Sequence, residues 1–279
     1  MSASQPQSVQ LEDIEIQLLL EAVFLYYGFD FRDYSQASLK RRILERVRAE
    51  GLQTVSAFQD RVLHEEACLQ RLLLALSIQV TSMFRDPSFY QTFRRQVVPL
   101  LRTYPTVRIW HAGCSTGEEV YSMAILLQEE NLYHKCRVYA TDMSADVLRK
   151  AREGIFALSA MQEYTANYLR AGGTREFSDY YTAHYDHVIF QPSLRANAVF
   201  SEHNLVTDGS FNEFHVILCR NVMIYFNKAL QQRVHKLIYE SLVMFGIFGI
   251  GNKESLRFTP FEDGYDALDQ HDRLYRKVR

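Results

Sequence analysis

The sequence predicts an α/β protein in which a small all-helical N-terminal domain precedes a mostly parallel sheet covered by helices, with a small antiparallel β insert. Three observations support this fold class. From residue 11 to about residue 79, apolar residues recur at helical spacing and no strand pattern occurs. Beyond residue 86, short β-rich runs alternate with amphipathic helical runs, as in parallel sheets covered on both faces. The stretch 155–203 interrupts this alternation and is rich in Tyr, Phe and Thr.

In the N-terminal domain, four helices are predicted, at 13–26, 36–50, 55–63 and 65–78. Gly28 and Gly51 end the first two, and Thr54 is predicted to cap the third. In the second helix, Leu39, Ile43 and Val47 form one apolar stripe. We expect this domain, with the segment that follows it, to span residues 1–85.

The second domain is expected at 86–279, with the β insert at about 155–203. Asp86 and Pro87 are predicted as the N-cap and first residue of a helix that continues to Leu101. After it, strands are predicted at 107–113, 137–141, 214–219, 246–250 and 274–278, and helices at 117–130, 145–153 and 227–242. This alternation indicates a Rossmann-like, doubly wound sheet.

The composition excludes several classes of protein. Of the 279 residues, 47% are apolar, and the formal net charge of −2 argues against a general nucleic-acid-binding protein. Residues 1–13 lack the pattern of a signal peptide, and the apolar run 242–251 is too short to cross a bilayer. We therefore expect a cytoplasmic protein, monomeric, with no nucleic acid and no membrane insertion.

The cysteines favour free thiols over a disulfide or a zinc site. They are scattered, without a CxxC pair or a histidine at metal-ligand spacing. No metal is expected. The four residues are Cys68, Cys114, Cys136 and Cys219.

The turn after the first predicted strand indicates the cofactor. It contains Gly113 and Gly117 and leads into Glu118 and Glu119 at the start of a helix. Doubly wound folds bind nucleotides at such turns. Two carboxylates would repel the pyrophosphate of a dinucleotide but suit the ammonium and sulfonium groups of S-adenosylmethionine. The alternative is that the glutamates only stabilise the helix N-terminus.

Two further strand ends carry candidate ligand contacts. Asp142 follows the second strand, where an acidic residue accepts hydrogen bonds from ribose hydroxyls; alternatively it only flanks the next helix, with Ser144 as the cap. Asn221 and Tyr225 follow the strand at 214–219, which places an amide and a phenol at the ligand crevice. Taken singly, each of these two residues could equally be a cap or a core residue.

Together these residues resemble the CheR family of chemoreceptor glutamate methyltransferases, over nearly the whole chain. The segments that carry the resemblance are TSMFRD (81–86), GCSTGEE (113–119), TD (141–142), HNL (203–205) and CRNVMIYF (219–226). The resemblance implies methyl transfer from S-adenosylmethionine to glutamate carboxylates in the cytoplasmic helical domains of methyl-accepting chemotaxis proteins. The products are a glutamate methyl ester and S-adenosylhomocysteine.

The resemblance also implies roles for individual residues. Arg85 and Tyr225 are the expected catalytic residues, with Tyr225 bordering the incoming carboxylate. The expected cofactor contacts are Thr81, Arg85, Glu119, Asp142, Asn204, Leu205, Asn221 and Val222. The family usually has Asn at Gln79, Phe at Met83 and Gly-His-Ser-Glu at 251–254. Docking of a receptor's C-terminal peptide tether to the β insert is an open question.

The substrate's chemistry requires no general base, because a glutamate side chain is already ionised at neutral pH. Catalysis then depends on alignment of the carboxylate oxygen, the methyl carbon and the sulfur. A basic cluster on the helix at 36–50 is the expected docking surface for receptor helices lined with glutamates. It consists of Lys40, Arg41, Arg42, Arg46 and Arg48. The alternative for this cluster is an ordinary solvated face.

Two other functions compete with methyl transfer. One is a signalling adaptor that binds S-adenosylmethionine or S-adenosylhomocysteine with weak or no transferase activity, which the unusual Gln79 favours. The other is a nicotinamide-dependent reductase, which the missing GxGxxG motif and the acidic turn disfavour.

Overall fold

The computed structural model describes residues 10–76, 81–257 and 259–279. Gln79, at which the sequence departs from the family, lies outside these residues. The described residues of Met1–Ile78 and Tyr225–Leu230 form one compact unit, and those of Gln79–Ile224 and Gln231–Arg279 form a second. A short segment from late in the chain therefore belongs to the unit built by the N-terminal helices.

The first unit contains the four predicted helices. They are α1 (Leu11–Tyr27), α2 (Gln36–Ala49), α3 (Val55–His64) and α4 (Glu66–Leu76). Gly28 ends α1 in the left-handed conformation with φ 80°, and its N–H bonds to the carbonyl of Phe24. The Thr54 side chain caps α3 by accepting from the N–H of Ala57. The predicted stripe on α2 is confirmed, because Leu39, Ile43 and Val47 are its buried residues.

The late segment of the first unit is attached to the α1–α2 connection. Tyr34 and Phe226 form an antiparallel bridge, and their rings pack edge to face with centroids 4.9 Å apart. The N–H of Ser35 donates to the carbonyl of Tyr225 at 2.7 Å. Backbone pairing and aromatic packing thus fix the position of Tyr225 within this unit.

A seven-stranded sheet forms the centre of the second unit, in the order β6-β2-β1-β7-β8-β10-β9. Its strands are β1 (Val107–Ala112), β2 (Cys136–Asp142), β6 (Ala198–Glu202), β7 (Phe214–Cys219), β8 (Leu242–Ile250), β9 (Tyr265–Asp269) and β10 (Leu274–Lys277). The first five in spatial order are parallel, and β10 is antiparallel to both neighbours. Because the strand order reverses at β1, the sheet is doubly wound, as predicted.

The helices of the second unit are α5 (Pro87–Thr92), α6 (Val98–Arg102), α7 (Glu118–Glu129), α8 (Ala145–Glu153), α9 (Met161–Arg170) and α10 (Lys228–Ser241), the last of which begins in the first unit. A π-helical turn, Phe93–Val97, joins α5 to α6. It ends two residues before Pro99, which has no N–H to close a regular helical hydrogen bond. The single helix predicted from residue 87 to residue 101 therefore consists of three pieces.

The β insert is confirmed as a small antiparallel sheet. Its strands are β3 (Ile155–Ala157), β4 (Tyr181–His184) and β5 (His187–Phe190), in the order β3-β5-β4. The predicted extent is wrong at its end, because β6 pairs in parallel with β2 in the main sheet. The insert also contains α9, a helix that the sequence reading missed, since its aromatic and β-branched residues resemble strand composition.

All four cysteines are buried free thiols. Within the described part of the chain, no helix has the length and apolar character needed to cross a membrane.

Candidate active site

Four neighbouring parallel strands, β6, β2, β1 and β7, end at one edge of the sheet. Each ends in or is followed by a segment with predicted cofactor contacts: 203–205 after β6, 141–142 at the end of β2, 113–119 after β1 and 220–222 after β7. In open α/β sheets this edge, at the point where strand order reverses, is where ligands bind. The fold therefore brings together motifs that are far apart in sequence.

The β1–α7 loop is held against the end of β2. The N–H groups of Gly113 and Cys114 both donate to the carbonyl of Thr141, at 2.8 Å each. The N–H of Ser115 donates to Asp142 Oδ2 at 2.9 Å. Burial raises the pKa of Asp142. Asp142 therefore helps to fix the position of the β1–α7 loop.

Two predicted caps are corrected here. Ser144 does not cap α8 with its side chain; its N–H instead donates to Asp142 Oδ1 at 3.2 Å. Asp86 does not cap α5 either, because its φ is 56° and its carboxylate binds Arg220. The Asp86 carboxylate thus binds a partner that is far away in the sequence, which local sequence rules do not consider.

Gly113 permits the closest approach between two of the loops. A Cβ added to Gly113 would lie 2.6 Å from Cγ2 of Val222, and its φ of 75° is strained for other residues. The turn after β7 therefore packs directly on the β1–α7 loop. Any side chain at position 113 would separate them.

A buried charge network joins α7, β7 and the segment before α5. The Arg220 side chain is 2% exposed and donates to Glu119 Oε2 at 3.0 Å and to Asp86 Oδ2 at 2.9 Å. It also donates to the carbonyl of Arg85 and lies over the Phe89 ring. One cation thus connects two predicted contacts, Glu119 and Arg85.

Glu119 has a second partner in this network. Nδ1 of the fully buried His111 lies 2.8 Å from Glu119 Oε1. Burial opposes ionisation of Glu119, but the hydrogen bond to His111 and the Arg220 charge outweigh it and hold the pKa of Glu119 below its usual value. The neighbouring Glu118 differs, since burial raises its pKa.

The turn after β7 is organised by Glu254. Its carboxylate accepts from the N–H groups of Asn221 at 2.9 Å, Met223 at 2.7 Å and Gly251 at 2.6 Å. Asn221 has a φ of 61°, which is costly for a residue other than glycine. Three convergent hydrogen bonds to one buried carboxylate stabilise this turn.

Half of the described non-glycine residues with a positive φ lie at this site. Phe84, Asp86, Ser115 and Asn221 all have φ between 49° and 61°. Three of these strained residues donate their backbone N–H to a side chain. Phe84 donates to Ser122, Ser115 donates to Asp142, and Asn221 donates to Glu254. Strain that the surroundings hold in place is typical of ligand-binding sites.

The remaining predicted contacts of the second unit have simpler surroundings. Asn204 Oδ1 accepts from the N–H of Val206 at 2.9 Å, and Leu205 is buried. The N–H of His203 donates to the carbonyl of Asp142, which keeps this segment beside β2. Thr81 and Arg85 are half-buried and flank the segment that contains Phe84.

Tyr225 and the basic cluster of α2 lie in the first unit. Arg42 stands 5.3 Å above the Tyr225 ring and donates to the carbonyl of Leu76 at 2.9 Å. Lys40 pairs with Asp13 at 2.7 Å, and Arg46 pairs with Glu50 at 3.0 Å.

The other two members of the basic cluster are exposed. Arg41 and Arg48 stand seven residues apart on α2, and both side chains are exposed. Within the described residues neither is part of an ion pair. The five-residue cluster therefore separates into three cations with partners in the chain and two directed into solvent.

Sequence reasoning missed Arg220 and Glu254, which hold the site together. Both stand in motifs that it quoted: Arg220 between Cys219 and Asn221, and Glu254 as the acidic residue that matches the family's late motif. The signal in the sequence was a charged residue shortly after the end of a strand. The residues to which each charge binds are distant in the sequence, so the sequence alone did not reveal its role.

The residues present fit S-adenosylmethionine. Ser115 Oγ is buried in the β1–α7 loop and has no hydrogen-bond partner among the residues described, so it is available to a polar ligand. Asp142 lies next to it, and the acidic character of the loop suits a cationic cofactor better than a phosphate. A doubly wound sheet with this site defines the class of Rossmann-like, S-adenosylmethionine-dependent methyltransferases.

Comparison with known proteins gives the family. Residues 79–265 match the CheR methyltransferase SAM-binding domain, and residues 14–77 match the CheR methyltransferase all-alpha domain. The chain belongs to the CheR methyltransferase family and is an S-adenosylmethionine-dependent methyltransferase.

Similar proteins agree with this membership. A Pseudomonas putida protein assigned as methyltransferase Cher3 is 50% identical, with coverage of 95% of this chain and 97% of the relative. The chemotaxis protein methyltransferase of Listeria monocytogenes is 28% identical, and the match covers 90% of this chain and 96% of the relative. The chemotaxis protein methyltransferase of Salmonella typhimurium is 28% identical, and the match covers 89% of this chain and 86% of the relative. The similarity therefore spans both units.

Proposed function

We propose that this protein transfers methyl groups from S-adenosylmethionine to glutamate side chains in the cytoplasmic helical domains of chemoreceptors. One observation carries the proposal: four of the five motif segments that resemble the family lie at the ends of four neighbouring strands. The names of the Listeria and Salmonella relatives, which refer to chemotaxis, support the substrate class.

The cofactor residues have distinct proposed roles. Asp142 accepts hydrogen bonds from the ribose, and Asn204 and Leu205 contact the adenine. Asn221 and Val222 form the wall behind the methionine moiety, while Thr81, Arg85 and Glu119 contact its polar end. The Glu119 charge is stabilised by Arg220 and His111, so the site keeps a fixed anion at the cationic end of the ligand.

The reaction needs positioning more than acid–base chemistry. The sulfonium supplies a methyl group on a good leaving group. The substrate carboxylate is ionised at neutral pH and attacks the methyl carbon directly, so no proton has to move. We propose that Arg85 attracts this carboxylate without clamping it and that Tyr225 borders it. A rigid, strained site suits such alignment, in which proximity supplies several kcal/mol or more.

Receptor docking is assigned to α2. Arg41 and Arg48 are the exposed cations of its basic cluster, and a receptor helix lined with glutamates complements them. Lys40, Arg42 and Arg46 contribute to the same positive field although each has a partner in the chain. This attraction should weaken as salt rises.

The test is methyl transfer from labelled S-adenosylmethionine to a panel of receptor cytoplasmic domains. We expect base-labile methyl esters on glutamate residues. Tyr225→Phe should reduce the rate while S-adenosylhomocysteine still binds, and Arg85→Ala should reduce the rate and also weaken S-adenosylhomocysteine binding. A matched control is Arg149→Ala, on the exposed surface of α8. Tight S-adenosylhomocysteine binding without transfer to any receptor would favour the adaptor instead.

A further inference from the structure

Helix α9 of the β insert contacts the segment that carries Thr81 and Arg85. Asn167 Nδ2 donates to Ser82 Oγ at 3.2 Å and to the carbonyl of Met83 at 3.1 Å. The Ser82 hydroxyl donates in turn to Glu163 Oε1 at 2.7 Å. Two side chains one turn apart on α9 therefore hold two consecutive residues of this segment.

The same helix reaches the start of α7. The Tyr164 hydroxyl lies 3.4 Å from Glu118 Oε1, and both side chains are buried. The Tyr168 ring packs edge to face on Phe84, with centroids 5.3 Å apart. Helix α9 is thus in contact with two of the segments that form the candidate site, all within the second unit.

Among the α9 side chains that contact this segment, Asn167 is a buried amide that needs hydrogen-bond partners. It is 6% exposed, and its Oδ1 accepts from the guanidinium of Arg170. A buried amide with all these partners fixes the position of the backbone to which it donates. That backbone needs support, because Phe84 next to Met83 has a φ of 51°.

Helix α9 is also attached to the antiparallel sheet. A short helical turn, Leu158–Ala160, connects β3 to α9, and the N–H of Leu158 donates to the carbonyl of Asp186 between β4 and β5. A displacement of the small sheet would therefore be transmitted to α9 and from there to Ser82 and Met83. The contacts form one continuous path.

We propose that Asn167 is a positioning residue, which through Ser82 and Met83 fixes the segment that presents Thr81 and Arg85 to the cofactor and so couples the β insert to cofactor binding. This inference rests on the proposed roles of Thr81 and Arg85. Asn167 itself touches neither substrate nor cofactor. Its effect is on the geometry of a segment whose backbone is strained at Phe84 and which its hydrogen bonds hold in place.

The test compares Asn167→Asp with Gln162→Ala, an exposed residue of the same helix. Asp keeps the shape and an acceptor for Arg170, but it removes the donor to the Met83 carbonyl. We expect S-adenosylhomocysteine affinity, measured by calorimetry, to fall about tenfold. Hydrogen exchange of residues 82–86 should accelerate, while exchange in the β1 and β7 strands stays unchanged. Gln162→Ala should match the parent protein.

Ser82→Ala provides a second variant in case Asn167→Asp folds poorly, because Ser82 is only half-buried. It removes the hydroxyl that Asn167 and Glu163 share, and we expect a smaller loss of affinity in the same direction. The double variant should lose less than the sum of the two single losses, since both act on one network.

The outcomes separate this inference from the proposed function. If Thr81→Ala and Arg85→Ala weaken S-adenosylhomocysteine binding while Asn167→Asp and Ser82→Ala do not, the positioning role is wrong and the cofactor assignment stands. If none of the four variants weakens binding, the assignment of Thr81 and Arg85 is overturned and the inference with it.

Discussion

The charged groups at the strand ends of the second unit and those on α2 of the first unit are used in opposite ways. Arg220 is almost completely buried and each of its charged neighbours is paired. Arg41 and Arg48 on α2 are exposed. Buried charges with several partners hold loops in one arrangement, whereas exposed charges act through a field that salt screens.

Helix α2 shows the same contrast on a smaller scale. Glu50 is 7% exposed and pairs with Arg46, Arg61 and Arg71, and the hydrogen bond from Arg71 is the main reason that its pKa lies below the usual value. Arg46 therefore belongs to a structural cluster. A cation that is already paired within the chain is less available to bind a receptor. Its position in a run of basic residues does not reveal whether it is paired.

The largest expected effect comes from Arg220→Met. It leaves the carboxylates of Asp86 and Glu119 without their shared cation, and breaking a buried pair costs roughly 3–5 kcal/mol. The free energy of unfolding in urea can be followed by the fluorescence of Trp110, which is buried in the second unit. Arg48→Met, the exposed counterpart, should change the unfolding midpoint little. Similar behaviour of the two variants would contradict the contrast.

A pH titration tests burial at a single group. Burial lowers the pKa of His235 from 6.5 to about 4. Below pH 6.5 His235 becomes protonated in the unfolded chain but stays neutral in the folded protein. The free energy of unfolding therefore decreases as the pH falls toward 4. The loss should reach about 3 kcal/mol.

The control for this titration is a histidine at the surface. In His235→Gln the loss between pH 6.5 and 4 should be smaller than in the parent by about that amount, whereas His64→Gln, whose side chain is 74% exposed, should follow the parent curve. Superimposable curves for all three proteins would show that folding does not lower the pKa of His235.

The next effect concerns ligand binding at the buried site. Asp142→Ala removes the proposed ribose acceptor and also the acceptor for the Ser115 N–H. A hydrogen bond to a charged group contributes roughly 1.5–3 kcal/mol, so S-adenosylhomocysteine should bind about ten- to a hundredfold more weakly. Asp146→Ala on α8 is the matched control, since this acid is half-exposed. Unchanged affinity in a folded Asp142→Ala protein would remove Asp142 from the site.

The smallest effect is expected at the exposed cations. Arg41→Glu with Arg48→Glu should raise the Michaelis constant for receptor a few-fold at low salt and leave S-adenosylhomocysteine affinity unchanged. Arg149→Glu with Lys150→Glu on α8 makes the same change of charge elsewhere. If both pairs act equally, net charge and not α2 controls docking. Reversing Arg42 and Arg46 is a poorer test, because both hold the helical unit together.

The helices and most strands followed from local sequence patterns. The apolar stripe on α2, the stop at Gly28 and the cap at Thr54 depend on residues within one or two turns, so the sequence contains all the information. Helix α9 was missed because its pattern is short and contains aromatic residues, strand β9 was not predicted, and β6 was assigned to the insert. Whether β6 pairs in the insert or in the main sheet depends on the position of β2, which local patterns do not specify.

By itself, the sequence determined the order of elements, the motif at each strand end and the class of cofactor that an acidic turn accepts. Only the tertiary structure decided which charges meet: Arg220 with Asp86, Glu254 with the Asn221 turn and Asn167 with Met83. It also decided which cations of α2 remain exposed. The physical reason is that helix and strand patterns arise from neighbours along the chain, whereas the partner of a buried polar group is selected by packing between segments far apart in sequence.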